Sequence, residues 1–196
     1  MLGAGLFDAV GSTNTKIENI VYQIYCEGAN TNINDANFYN LLTQYWNEKV
    51  VFIGCNGCRE TATQASTMYE FNKLQTGKVN ILALFDLDKQ SDYVDLEFAR
   101  FTSRFEFENY VFDPINVCEA FNIKQVDYSK IVGENWKIVK DFKKLDQNEL
   151  KSINEGAQIS FKDVQSKLYE SLIANKILLE SIAKELHNCI FGGKVK

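Results

Sequence analysis

An uncharged run, Val79-Asn80-Ile81-Leu82-Ala83-Leu84-Phe85, ends in two carboxylates two residues apart, Asp86 and Asp88. Such a run reads as a strand buried on both faces, as in the middle of a parallel sheet. Ligands of open α/β sheets bind outside the carboxyl ends of the strands, so the D-x-D pair stands where a site is expected. If the chain stays extended, residues i and i+2 point the same way. Two carboxylates side by side raise each other's pKa unless a positive charge lies between them. A hard divalent cation with oxygen ligands meets that need. The alternative is a strand that runs out into a polar loop, where Asp is common.

Two further places carry acids beside apolar runs. Ile20-Val21-Tyr22-Gln23-Ile24-Tyr25-Cys26 is β-branched and aromatic, reads as a first strand and ends in Glu27-Gly28. From Ser103 to Phe112, charged and aromatic residues alternate with period two. That predicts a strand whose wet face carries Arg104, Glu106 and Glu108. On a solvated edge those opposite charges would simply pair, and weakly.

Other chemistries are poorly supplied. The single histidine, His187, lies in a helical pattern near the C-terminus, which excludes histidine triads and multi-histidine metal sites. Cys55-Asn56-Gly57-Cys58 matches C-x-x-C, but no second pair accompanies it. The five cysteines, odd in number and mostly in apolar contexts, read as reduced core residues of a cytoplasmic protein. Gly3-Ala4-Gly5 is not followed by Lys-Ser/Thr, so it is no phosphate-binding P-loop, and the chain alone is not expected to be an ATPase.

The elements that must position the acids follow from the same patterns. Lys49 to Ile53 reads as a second buried strand, with a turn at Gly54–Gly57. A helix with the stripe Phe38, Leu41, Leu42 and Tyr45 precedes it, capped by Asn34 or Asp35. A polar helix over about 59–75 follows it, stopped by Gly77. Strand, helix, strand, helix, strand is a parallel α/β unit. Residues 89–100 read as loop or short helix, Pro114 ends a segment, and 115–122 read as a short helix. Residues 124–158 carry lysines and Trp136 without a clean period. Ser160 to Asp163 resembles a capping box. Val164, Leu168, Leu172, Ile173, Leu179, Ile182, Leu186 and Ile190 then line one amphipathic helix of about 30 residues.

At 196 residues, 45% hydrophobic and with one proline, the chain can bury a proper core and has little room for irregular linkers. No run of 18 apolar residues exists and no basic signal region opens the chain, so a cytoplasmic protein without a membrane span is expected. The net charge of −5 divides into −8 over residues 1–123 and +3 over 124–196. An acidic half is no general nucleic-acid binder, but metal ions can neutralise an acidic site locally.

A Glu-Gly after a first apolar strand, a D-x-D after a third and a further acid some 20 residues on resemble the TOPRIM domain of topoisomerases, primases and OLD-family nucleases. The OLD-like form, which includes effectors of bacterial anti-phage systems, reads Y-x-E-G-x-x-D-x-x-F-Y near its start and E-N-Y after its last core strand. Here the matching residues are Tyr25-Cys26-Glu27-Gly28, Asp35-Ala36-Asn37-Phe38-Tyr39 and Glu108-Asn109-Tyr110, with inserted loop residues between Gly28 and Asp35. The likeness covers about residues 20–115. It implies an α/β, Rossmann-like TOPRIM core over 17–123, a mostly parallel sheet of about four strands flanked by helices. A lead-in over 1–16 would precede it and a helical C-terminal region over 124–196 would pack on it.

It also implies a Mg²⁺- or Mn²⁺-dependent nuclease acting on DNA or RNA, tRNA included, in anti-phage defence. Asp86 and Asp88 would hold metal, and Glu108 with Glu106 would complete the site for a second ion. Glu27 would be a further metal ligand or the group that handles the proton of the attacking water. Asp35 either joins that chemistry or caps its helix. Arg104 or Lys89 would face phosphate. The family's late lysine falls among Lys137, Lys140, Lys143 and Lys144. The partners implied are nucleic acid and a separate ATPase, with a homodimer through the C-terminal helix as a further option. The contrasting expectation is a catalytically silent TOPRIM-like module that binds an ATPase or nucleic acid.

Overall fold

The computed structural model describes residues 22–28, 35–75, 79–154 and 156–192. Its β-branched and aromatic runs form β1 (Tyr22–Glu27), β2 (Val50–Cys55) and β3 (Asn80–Phe85), followed by the short β4 (Ala99–Phe101). They make one sheet in the order β2-β1-β3-β4, parallel throughout. Parallel neighbours need crossover connections. Helix α1 (Asp35–Leu42) links β1 to β2, and α2 (Cys58–Leu74) carries the chain from β2 past β1 to β3. The order of strands therefore reverses between β1 and β3, which is the switch point of the sheet. Tyr25 pairs with Ala83 across that gap, so continuing the register sets Glu27 level with Phe85, one residue before Asp86.

The strands are covered on both faces, which is why they read as continuous apolar runs. Ile24, Cys26, Leu82 and Leu84 join one core cluster with α1 and the C-terminal helices. Tyr25, Ile81, Ala83 and Phe85 join a smaller cluster under α2. In α2 the residues fully removed from solvent are Thr61 and Ala65, in keeping with its polar sequence.

After β3 come α3 (Gln90–Tyr93), β4, and then a departure from the sequence reading. Residues 103–112 are not a strand: the chain turns through 102–107 and forms α4 (Glu108–Val111). Glu106 to Asp113 are all buried, a run no strand with one wet face could give. Pro114 does not end a segment but opens α5 (Pro114–Phe121), where Asp113 accepts from the Ile115 N–H at 3.0 Å. The stretch without a clean period contains α6 (Gln125–Val132), α7 (Trp136–Val139), a 3-10 turn (Phe142–Lys144) and α8 (Gln147–Ile153). The expected single helix of about 30 residues is two, α9 (Phe161–Ala174) and α10 (Lys176–Phe191). Asn175 breaks it at φ −91, ψ 88, and its side chain accepts from the Leu178 N–H at 3.0 Å. An Asn side chain offers the backbone this alternative to a continued helix. The buried faces of both helices join the main core, α9 against α4, α5 and α10, and α10 also against α1 and β4, with Ile173 and Ile177 left exposed at the break. No helix of the described residues is long and apolar enough to cross a membrane.

Candidate metal centre

Acids from four separate elements meet at the carboxyl ends of β1 and β3. Glu27 is the last residue of β1, and Gly28, at φ 98, turns the chain aside directly after it. A side-chain-bearing residue resists that dihedral, which gives the Glu-Gly pair a physical reason. Asp35 is the first residue of α1. Asp86 follows β3 in an extended conformation, φ −64 and ψ 153. Glu106 and Glu108 come from the turn before α4 and from its first residue.

The electrostatics show that these acids share one field. The Asp35 carboxyl is pushed up to about 8, first by burial, then by the Glu108 and Glu27 carboxylates, with Lys143 pulling it back. Asp86 is held well above the ordinary carboxylate range by burial, then by Asp35 and Glu27, again against Lys143. Burial and the neighbouring Glu108 raise Glu106 as well. Asp35 and Asp86 have dense protein around their carboxyls yet keep partial exposure, as groups lining a crevice do. Glu27 Oε1 is buried without a hydrogen-bond partner.

The loops around the cluster are tied together. Leu87 and Asp88 N–H groups donate to the Arg104 and Phe105 carbonyls, each at 3.3 Å, and Leu87 N–H also donates to Thr102 Oγ1 at 3.1 Å. This strap sets the 104–108 turn against the end of β3. Asn109, fully buried, accepts from the Glu106 N–H at 3.1 Å and donates to the Trp136 and Lys140 carbonyls at 2.7 and 3.1 Å. The Asn of the E-N-Y triplet is thus a bracket that brings the 136–144 segment to the acids. Of the four late lysines, Lys143 is the one delivered: its Nζ lies 3.0 Å from Glu106 Oε2 and 3.0 Å from Glu108 Oε2. The contact to Glu108 is an ion pair outside hydrogen-bonding geometry. Lys140 pairs with Glu149, Lys144 with Asp141, and Lys137 approaches Glu185. No period or motif marks Lys143, because its neighbours lie some 35 residues back in the chain.

Three of the candidate residues fall elsewhere. Residues 87–89 wind into a 3-10 turn directly after Asp86, so Asp88 leaves the side Asp86 faces and pairs with Lys89 at 2.6 Å. The same pair occupies Lys89. Arg104 is buried and used internally, donating to Glu185 at 2.9 and 2.8 Å, to Asp113 at 3.0 Å and to the Asn109 carbonyl at 2.8 Å. Its guanidinium lies 4.6 Å from the Tyr110 ring centre. It is not free to face a phosphate.

Among the described residues no three His, Cys, Asp or Glu side chains stand as a ready-made metal cage. The donor set still fits a hard divalent ion: it is all oxygen, it carries more negative charge than Lys143 balances, and one buried oxygen of Glu27 lacks a partner. Mg²⁺ keeps several waters and needs only one or two carboxylates beside its substrate's phosphate oxygens. The C-x-x-C cysteines are free, with Cys55 buried and Cys58 opening α2, and His187 pairs with Glu48 at 2.9 Å. A hollow of about 520 Å³ between α2 and residues 92–96, and another of about 400 Å³ beside Tyr22 and Asn80 at the opposite end of the strands, contain none of the clustered acids. The chain matches no family model, no curated protein and no solved structure.

Proposed function

We propose that the chain is a metal-dependent nuclease with a TOPRIM-like core, hydrolysing phosphodiester bonds of DNA or RNA at this cluster with Mg²⁺ or Mn²⁺. The observation that carries the reading is the imbalance at the switch point. Asp35 and Asp86, lining the crevice, press on each other and on Glu27, and among the described residues Lys143 offsets that repulsion only in part. Glu27 and Asp86 would hold the ion. When bound, it supplies Lewis acidity and a water of lowered pKa. Asp35 titrates near working pH, which suits a group that takes the proton of the attacking water. As the water oxygen bonds to phosphorus, the bond to the leaving oxygen breaks, and that oxygen takes a proton from solvent. Lys143 faces the developing negative charge. By the family likeness, the setting would be anti-phage defence, with tRNA among the candidate substrates and a separate ATPase as partner.

One observation favours the silent-module reading: Lys143 already neutralises part of the acid excess. Cleavage of DNA, RNA and tRNA with Mn²⁺, by wild type, Asp86→Asn and Asp88→Asn, separates the two. The nuclease loses on the order of 100-fold or more with Asp86→Asn, since a metal's charge contributes several kcal/mol, and keeps its rate with Asp88→Asn. Equal rates for wild type and Asp86→Asn would remove the site. Absence of both cleavage and millimolar metal binding would leave the module.

A further inference from the structure

The acid cluster has two halves that differ in what their oxygens already do. At Glu106, Oε1 accepts from the Phe142 N–H at 3.1 Å and Oε2 meets Lys143 at 3.0 Å. At Glu108, Oε1 accepts from Gln165 at 3.4 Å and Oε2 meets Lys143 at 3.0 Å. Every carboxylate oxygen of this half has a protein neighbour. In the other half Glu27 Oε1, like Glu108 Oε2, is buried without a hydrogen-bond partner, but among the described residues no ammonium stands beside it as Lys143 stands beside Glu108. The carboxylates of Asp35, Asp86 and Glu27 act on one another, with Lys143 only partly opposing them.

The ammonium is built into its position. Phe142, next in the chain, is fully buried and stacks on Phe112 with ring centres 4.7 Å apart. The same turn is held to Glu106 by its own backbone N–H. The Lys143 side chain is half exposed while both glutamates are 9% exposed, so the charge reaches inward from the surface to buried partners. Burial works against the charge on Lys143, yet Glu108 and Glu106 outweigh it and hold the group protonated. A divalent ion bridging the two glutamates would need their oxygens at about 2.0–2.6 Å, in the space the ammonium fills.

Building on the nuclease reading, we infer that Lys143 is the resident cation of the Glu106–Glu108 half, so that the centre takes one divalent ion, at Glu27 and Asp86, rather than two. The second positive charge that two-metal hydrolysis draws from an ion comes here from a side chain. Its strength is fixed by the fold and does not vary with metal concentration.

The test counts bound Mn²⁺ on the full chain by calorimetry and by loss of the free-ion electron spin resonance signal, with no substrate present. Wild type binds one ion, and Lys143→Met, which leaves two buried glutamates uncompensated, binds a second; Lys143→Arg returns the count to one. Two ions on wild type overturn the inference while leaving the metal centre intact, and this count needs no variant to fold. One ion on both wild type and a folded Lys143→Met also overturns it. No ion on either removes the metal centre and the inference together.

Discussion

Two groups of buried charges lie within the same stretch of chain and are built on opposite plans. Around Arg104, a guanidinium is enclosed by Asp113, Glu185 and the Asn109 carbonyl, with Tyr110 and Trp136 rings at 4.6 and 5.3 Å. Two carboxylates there meet two cations, Arg104 and, 3.9 Å from Glu185, Lys137, and Glu185 is held below the usual carboxylate range: burial would raise it, and the Arg104 contacts overcome that. At the strand ends Asp35, Asp86, Glu106 and Glu108 share Lys143, with Glu27 adding a further acid beside them. Burying a charge without a partner is costly, so a fold that merely needed to be stable would use the first plan in both places. The second plan raises Asp35 and Asp86 instead, and raised carboxyls at a strand-end crevice make that place the candidate site.

The comparison breaks most visibly at Arg104. Arg104→Met should lower stability by about 3–5 kcal/mol, because it strands Asp113 and Glu185 inside the protein. Urea unfolding measures it. A loss under about 1 kcal/mol would mean the network is no better matched than the acid cluster.

The acid cluster should respond with the opposite sign. Asp35 unfolded titrates near pH 4 and folded at about 8. Between those values the folded chain keeps a proton the unfolded chain has lost. Stability from this group is therefore full below about pH 4 and is lost as pH rises to about 8. Asp35→Asn should raise the metal-free stability at pH 8 by on the order of a few kcal/mol, read as a higher melting temperature, and change little at pH 4. Mn²⁺ competes with the same protons, so the melting shift it gives wild type should be larger at pH 8 than at pH 6. A shift independent of pH would separate Asp35 from the ion.

A smaller effect tests the sheet that carries both groups. The Asn40 amide donates to the Phe52 carbonyl at 2.9 Å and accepts its N–H at 2.8 Å, closing part of the free edge of β2. Asn40→Ala leaves two backbone groups unpaired and should cost about 1–3 kcal/mol, read by unfolding.

What was legible in the sequence follows from the range of the forces involved. Strands buried on both faces are continuous apolar runs, so β1, β2 and β3 could be read directly, and the acids that end two of them with them. The turn at 102–107 could not, because Phe107, Tyr110 and Phe112 are buried by packing against later helices rather than by alternation. Nor could the break at Asn175, where one side chain caps a new helix inside an unbroken apolar period. Lys143 was one of four equivalent lysines until Asn109 and Glu106 drew its turn inward. Arg104 looked like a phosphate ligand because its partner Glu185 lies 81 residues on.

The smallest effect, and the sharpest, concerns the D-x-D pair. By residue type Asp86 and Asp88 are equivalent, and in an extended chain they would face one ion together. The 3-10 turn at 87–89 separates them: Asp86 stays among buried acids, while Asp88 holds Lys89 in a partly solvated pair. Such a pair contributes about 0–1 kcal/mol. Asp88→Asn should therefore shift unfolding by less than about 1 kcal/mol and leave Mn²⁺ affinity as in wild type, while Asp86→Asn removes the ion. Calorimetry on the two variants side by side decides it. If Asp88→Asn weakens Mn²⁺ as much as Asp86→Asn does, the ion draws the 87–89 turn open when it binds, and the line between matched and unmatched charge runs on the far side of Lys89.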